Sequence, residues 1–368
     1  MKHFVRPLST LLTSCLFFLF AHAFPRALPI PQGQDGSGSR ELIGDLRTVG
    51  PTTPVGRSIA NIIMGSESGQ SSVIGQRPAN DTACAADPCC VWYDVVDVSL
   101  ALTVLFLGPA GRCNNQARAA IRLGFHDAGT WSKTNRDSGL DFGGADGSLL
   151  MNFGEDARAE NNGLQGIIGK LRIVQKLFKI GFADLVQYAS IHAVVTCPLG
   201  PRLRAFTGRK DATRAAPDGL LPDVHAAADS LIALFQDKTI VPHDLAALLG
   251  AHSTSKAFVQ PGVPAGTPQD TTPAVWDVRF YNETIQSPSP KGVFVFPSDA
   301  VLSKHPAVST EWNSFIDAQS HWNEDYATAY TRLSMLGVNN INSLRECSQT
   351  LPPARPDFPG ASVQFADS

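Results

Sequence analysis

The sequence predicts a mainly α protein, and three observations predict it. Apolar residues recur at helical spacing along most of the chain, strand-like alternation is confined to short runs such as Val293 to Phe296, and there is no internal repeat. Hydrophobic residues make up 43% of the 368 positions and charged residues 17%, which is ample material for a core and excludes wholesale disorder. Taken in order, Asp94 to Leu107 is an apolar helix closed by Gly108-Pro109. Asn114 to Asp127 sets Ala117, Ala120, Ile121, Gly124 and Phe125 on one face, and Leu164 to Phe178 does the same with Ile167, Ile168, Leu171, Val174 and Leu177. Ala183 to Val195, Asp223 to Phe235 and Pro242 to Ala251 come next, the last with proline where a first helical turn accepts it. Trp312 to Gln319 and Asn323 to Leu336 close the set.

The ends read differently. Lys2 and Arg6 precede an apolar run from Leu11 to Phe20, and Ala21-His22-Ala23 has the small-x-small form of a cleavage site, so 1–23 is expected to be a secretory signal peptide. Residues 24–80, rich in Gly, Ser and Pro, are expected to be a propeptide or flexible segment. The folded domain is expected over 81–350, with 351–368 an extended tail containing Pro352, Pro353, Pro356 and Pro359. No other stretch reaches the roughly 18 apolar residues of a membrane helix, so no membrane association is expected once the signal is removed. With 30 Lys+Arg against 33 Asp+Glu the formal net charge is −3, which gives no basic surplus for nucleic acid. Beyond Cys15 in the signal, six cysteines remain: Cys84, Cys89, Cys90, Cys113, Cys197 and Cys347. An even number in an exported chain implies disulfides, and the lack of any C-x-x-C removes support for thioredoxin-like chemistry or a zinc ribbon. Asn80-Asp81-Thr82 and Asn282-Glu283-Thr284 are glycosylation sequons.

The chemistry concentrates in two places. In Arg122-Leu123-Gly124-Phe125-His126-Asp127, the cation and the imidazole are four residues apart and share a helix face. Alone, such a pair reads as a surface arginine beside a core histidine. The next loop changes the balance. Phe142-Gly143-Gly144-Ala145-Asp146-Gly147-Ser148 is rich in glycine and oxygen donors, and with Asp127 its residues Gly144, Asp146 and Ser148 suit a hard cation such as Ca²⁺. The loop is neither an EF-hand nor a phosphate loop. More than a hundred residues on, Leu248-Leu249-Gly250-Ala251-His252-Ser253 ends an apolar helix in a histidine, and Asp270-Thr271-Thr272-Pro273-Ala274-Val275-Trp276-Asp277 repeats the oxygen-rich pattern. A lone His252 would be explained by the favourable C-terminal end of a helix dipole. Two histidines, each beside a calcium-like set, are not.

From about Cys84 to Cys347 these ordered motifs resemble the secreted class II haem peroxidases of fungi, within the plant-type peroxidase superfamily. Phe125 before the histidine agrees with class II, where class I usually has Trp. The resemblance implies a mainly α fold with one haem b held between distal and proximal halves and two Ca²⁺ ions. It implies that His126 is the distal base, Arg122 the distal cation, Asn161 the residue orienting the imidazole, and Glu155 its partner. Asn161 is preferred over Asn162 on the alignment through Gly163-Leu164. It makes His252 the axial iron ligand and Asp299 the aspartate behind it. The distal calcium set is then Asp127, Gly144, Asp146 and Ser148, and the proximal set Ser253, Asp270, Thr272, Val275 and Asp277. Cys113 with Cys197 matches a family bridge. Cys347 is expected with Cys89 and Cys84 with Cys90, though the adjacency of Cys89 and Cys90 leaves these two pairings interchangeable. A fourth bridge usual near the C-terminus is absent.

The implied activity is reduction of hydrogen peroxide with one-electron oxidation of phenolic or small aromatic donors by a monomer. Manganese-oxidising members carry three carboxylates where this chain has Asn115, Ala119 and Phe258, and a Mn²⁺ site needs hard anionic oxygens. Lignin-oxidising members carry an exposed tryptophan where this chain has Ala247. That leaves the haem edge, with a surface radical at another Trp or Tyr as the alternative. A haem- or calcium-binding protein without catalysis is disfavoured because the distal groups are all present. A zinc hydrolase lacks H-E-x-x-H, and a serine hydrolase lacks G-x-S-x-G.

Overall fold

The computed structural model describes Met1 and residues 40–93 and 97–359. The expected signal peptide and the end of the expected tail lie outside the described residues. The helices are α1 (Gly44–Thr48), α2 (Pro54–Ile63), α3 (Asp81–Ala86), α4 (Val98–Phe106), α5 (Asn115–Ala128), α6 (Lys133–Asp137), α7 (Gln165–Phe178) and α8 (Phe182–Thr196). After them come α9 (Ala228–Asp237), α10 (Pro242–Leu249), α11 (Arg279–Ile285), α12 (Pro297–Leu302), α13 (Pro306–Ser314) and α14 (Gln319–Leu333). Strands are two residues long: β1 (Phe206–Thr207) pairs antiparallel with β4 (Arg345–Glu346), and β2 (Lys256–Ala257) with β3 (Thr267–Pro268). The fold is mainly α, as the helical periodicity requires. Val293 to Phe296 forms no strand: the Phe294 amide donates to the Pro268 carbonyl of β3, but no ladder extends from that single bond. Among the described residues no helix is long and apolar enough to cross a membrane.

The helix starts are written locally. The Asn114 side chain accepts from the amides of Gln116 and Ala117, capping α5, and Pro242, Pro297 and Pro306 occupy first-turn positions of α10, α12 and α13. α8 is buried on every side from Ala183 to Thr196, so it is the central helix of its half. α5 packs along it, and Gly124 permits the approach: a Cβ there would sit 2.6 Å from Ser190 and 2.8 Å from the Tyr330 hydroxyl. Gly124→Ala is therefore expected to cost about 1–3 kcal/mol by overpacking, read as a lowered thermal midpoint; an unchanged midpoint would show that α5 has room to shift.

Several expectations need correction. The segment 24–80 is not a flexible extension throughout: within it α1 and α2 bury Leu46, Ile59, Ile62 and Ile63 in the main core. Arg332, fully buried on α14, donates to the carbonyls of Glu41 and Ile63, and Arg40 pairs with buried Asp244 at 2.6 Å. The average composition of the segment hid a helix with Ile at i, i+3 and i+4 behind a Thr53 cap and Pro54. The helix expected from Asp223 starts at Ala228, and the helix expected from Trp312 is α13, which begins six residues earlier at Pro306 and ends at Ser314. Within 351–359 the tail has no regular structure, yet Leu351 is buried and Arg355 donates to the carbonyls of Gly111 and Thr196. The six cysteines pair as Cys84–Cys90, Cys89–Cys347 and Cys113–Cys197, resolving the open choice.

Candidate active site

The distal group is built on α5. Arg122 and His126, one turn apart, lie with Arg122 Nε 3.1 Å from His126 Nε2. The two terminal nitrogens of Arg122 donate to the carbonyls of Asn162 (2.8 Å) and Glu160 (2.7 Å), so the guanidinium is tethered from the loop before α7. His126 Nδ1 is 2.8 Å from Asn161 Oδ1. Asn161 Nδ2 donates to the Glu155 carbonyl at 2.8 Å, which fixes the amide so that Oδ1 faces the imidazole. The proton therefore sits on Nδ1, and the Nε2 lone pair receives the Arg122 Nε–H. Glu155 thus supports Asn161 through its main chain; its buried carboxylate accepts instead from the Ala216 amide at 3.0 Å. Phe125 stands edge-on to His126 with ring centres 5.7 Å apart and stacks on Phe235 of α9 at 6.0 Å.

Arg122, Phe125 and His126 retain partial surface access, yet protein surrounds them closely. Burial, with Arg122 nearby, pushes the His126 imidazole down to about 3 despite its bond to Asn161. Burial also brings Arg122 down to about 10, where it keeps its charge at neutral pH. His126 is therefore neutral at any ordinary working pH.

The proximal group lies just beyond α10. His252 is in the 3₁₀ turn Gly250–Thr254, with Nδ1 2.9 Å from Asp299 Oδ2. Asp299 is fully buried in the first turn of α12, and its Oδ1 has no hydrogen-bond partner. The imidazole is about one-third exposed and is flanked by Phe280 and Phe296, with ring centres 5.6 and 5.8 Å away. Its Nδ1 is committed to the carboxylate, which leaves the Nε2 lone pair for an external ligand.

Both oxygen sets assemble. In the first, the Gly147 amide donates to Asp127 Oδ2 (3.1 Å), the Ser148 amide to Asp146 Oδ1 (3.0 Å) and the Asp146 amide to the Gly144 carbonyl (2.7 Å). Gly144 has φ +99°, and a Cβ there would meet the Leu336 carbonyl at 2.3 Å, so the loop requires glycine at this point. Asp127 Oδ1 and Ser148 Oγ are buried without hydrogen-bond partners. In the second set, Thr272 Oγ1 donates to Asp277 Oδ2 (2.8 Å), the Thr272 amide to Asp270 Oδ1 (2.8 Å), and Ser253 Oγ lies 3.4 Å from both the Val275 carbonyl and Asp277 Oδ1. Asp270 Oδ2 is buried and unpartnered. Burial and the neighbouring carboxylates push Asp127 and Asp270 well up, and burial above all raises Asp146 to about 6. Unpartnered hard oxygens beside mutually repelling buried carboxylates fit a divalent cation in each set. Glu283, which no sequence pattern marked out, ties down the second loop through the Thr271 amide (2.8 Å) and hydroxyl (2.6 Å).

A fold of this kind, with paired histidine sites beside oxygen-rich loops, defines a class, and the comparisons agree. The chain belongs to the peroxidase family: the family model described as Peroxidase matches residues 108–318. It is a peroxidase of the plant type and a haem enzyme, using hydrogen peroxide and a reducing substrate. It is 29% identical over 356 residues to a peroxidase of Arthromyces ramosus, covering 92% of this chain and 87% of that one. It is 34% identical over 289 residues to manganese peroxidase 3 of Phlebia radiata (72% and 78%), and 31% identical over 302 residues to ligninase LG2 of Phanerodontia chrysosporium (77% and 79%).

Proposed function

We propose that this chain is a secreted haem peroxidase that takes electrons, one at a time, from phenolic or small aromatic donors at the haem edge. The observation that carries the reading is His126 with Nδ1 on Asn161 Oδ1 and Nε2 beside the Arg122 guanidinium. Bound haem supplies the iron and the store of oxidising equivalents. His126 Nε2 takes a proton from hydrogen peroxide and returns it to the departing oxygen, acting as base and then acid. Arg122, held by two carbonyls, stabilises the negative charge that develops as the O–O bond breaks. Peroxide must displace the Arg122–His126 contact to reach Nε2. His252 would hold the haem iron through Nε2, which its Nδ1 bond to Asp299 would keep electron-rich. Asp127, Gly144, Asp146 and Ser148 would hold one Ca²⁺, and Ser253, Asp270, Thr272, Val275 and Asp277 the other. The site is complete within one chain, in keeping with a monomer.

The donor class rests on burial. All five Trp and all five Tyr are buried, so none offers an exposed ring for a surface radical. Ala247 is itself fully buried on α10, with its carbonyl accepting from Trp322 Nε1 at 2.9 Å. One relative is named a manganese peroxidase, but Asn115 here is exposed and engaged by Arg118, and Ala119 and Phe258 carry no charge. Mn²⁺ is therefore expected to give no saturable turnover, whereas a small phenol should. Export is supported by the N-terminal pattern, the three disulfides, and sequons whose Asn80 and Asn282 are exposed.

The direct test is the visible spectrum before and after one equivalent of hydrogen peroxide. A strong haem band that changes within the mixing time supports the reading, and a band indifferent to peroxide overturns it. His252→Ala is expected to lose haem or shift its band; an unchanged spectrum would remove His252 as ligand.

A further inference from the structure

Away from the peroxide site, α10, α13 and α14 bring together two imidazoles and two carboxylates: His243, Glu311, His321 and Asp325. His243 Nε2 is 3.5 Å from Glu311 Oε2 and 3.7 Å from Asp325 Oδ2. His321 Nε2 is 3.5 Å from Glu311 Oε1 and 3.0 Å from Asp325 Oδ2. His243, Glu311 and Asp325 each offer one ligand atom within 4.8 Å of the other two, a spacing an ion could draw together, and His321 approaches Asp325 Oδ2 and the second Glu311 oxygen from the solvent side.

Three further observations point to an ion rather than to plain ion pairs. Asp325 Oδ2 is shielded from solvent and has no hydrogen-bond donor, even at 3.0 Å from His321 Nε2. Among the described residues no lysine or arginine pairs with Glu311 or Asp325. The outer partners are in place as well: His243 Nδ1 lies 3.2 Å from the buried Asp244 carboxylate and 3.3 Å from Arg40 Nη2, itself paired with Asp244, and Ser314 Oγ donates to Glu311 Oε1 at 3.0 Å. A carboxylate on the far nitrogen fixes the imidazole for metal binding at Nε2. His321 is nearly half exposed and gives an ion a way in.

We propose that His243, Glu311, His321 and Asp325 form a third metal site, selective for a borderline divalent cation such as Zn²⁺ or Cu²⁺ over Ca²⁺ because half its donors are imidazole nitrogen. The ion pins α10, the helix that leads into His252, to α13 and α14. The site stands apart from both calcium-like sets, so it does not depend on their assignment.

The test is titration of the purified holoenzyme, kept saturated with Ca²⁺, with ZnCl₂ by calorimetry. One saturable equivalent is expected, weakened at least tenfold in His321→Ala and in Glu311→Gln. His321 is exposed enough that its variant should fold, and an unaltered haem band with an unaltered metal-free melting midpoint checks this. Cu²⁺ added in place of Zn²⁺ should give an electron paramagnetic resonance signal with coupling to two nitrogens in the wild type, reduced to one in His321→Ala. No saturable zinc binding, or binding unchanged in both variants, overturns the proposal.

Discussion

Replacing His126 with leucine is expected to slow peroxide reduction by roughly 10²–10⁴-fold while haem stays bound. Leucine fills a similar volume but offers no lone pair; Arg122 keeps the Glu160 and Asn162 carbonyls, and Asn161 between them keeps its bond to the Glu155 carbonyl. The measurement is the stopped-flow rate of the first spectral change on mixing with peroxide. Rates within a few-fold of wild type would refute the acid–base role. The pH profile adds a second check. Burial and Arg122 depress His126 to about 3, so the base remains available across the neutral range. The wild-type rate is expected to be flat from about pH 5 to 8 and to fall only as pH approaches about 3, well below the ordinary imidazole value near 6.5. Asn161→Ala should move this profile without abolishing the reaction, since Asn161 sets the tautomer and raises the imidazole pKa, and neither gives nor takes the transferred proton.

Much of this site was legible in the sequence because its signals are local. Arg122 and His126 share a helix face by spacing alone, and the Gly-rich loop announces itself by composition. Asp299 and Asn161 are different: nothing local distinguishes Asp299 from a helix cap, and only the resemblance to a family placed it behind His252, where the structure has it at 2.9 Å. The support of Asn161 by a main-chain carbonyl, where a carboxylate seemed the natural partner, carries no sequence signal. The fold failed to read through wherever tertiary contacts overrode composition. The segment 24–80 looked unstructured because it is rich in Gly, Ser and Pro, but from residue 40 onward its isoleucines find a partner surface, and buried Arg332 closes it with two hydrogen bonds. The cluster of His243, Glu311, His321 and Asp325 escaped for a related reason. Only His321 and Asp325 are near in sequence, at i and i+4, and the remaining ligands come from two other helices.

Removal of calcium is expected to reverse the pH dependence of stability as well as lower it. Without a cation, burial raises Asp146 from 3.8 to about 6 and holds Asp127 and Asp270 well above the usual carboxylate range, with neighbouring carboxylates adding to the effect. A carboxyl whose pKa is higher folded than unfolded binds its proton more tightly in the native state. Its contribution is therefore present below about pH 3.8 and is lost as pH rises through about 6. Bound Ca²⁺ inverts the sign. It favours the charged carboxylates, so the loaded protein gains stability over the same interval and loses it on acidification, when protons displace the ion. Melting curves at pH 4.5 and 7 in excess calcium and in excess chelator separate the two states. The expected result is a large gap between midpoints at pH 7 that narrows at pH 4.5, with the chelated protein less stable at the higher pH. Peroxidase activity should fall in step, because Asp127 is the residue after His126 on α5 and Ser253 the residue after His252 in the proximal turn. Equal midpoints with and without chelator at pH 7, or the same pH slope in both states, would undo the assignment of these residues to calcium.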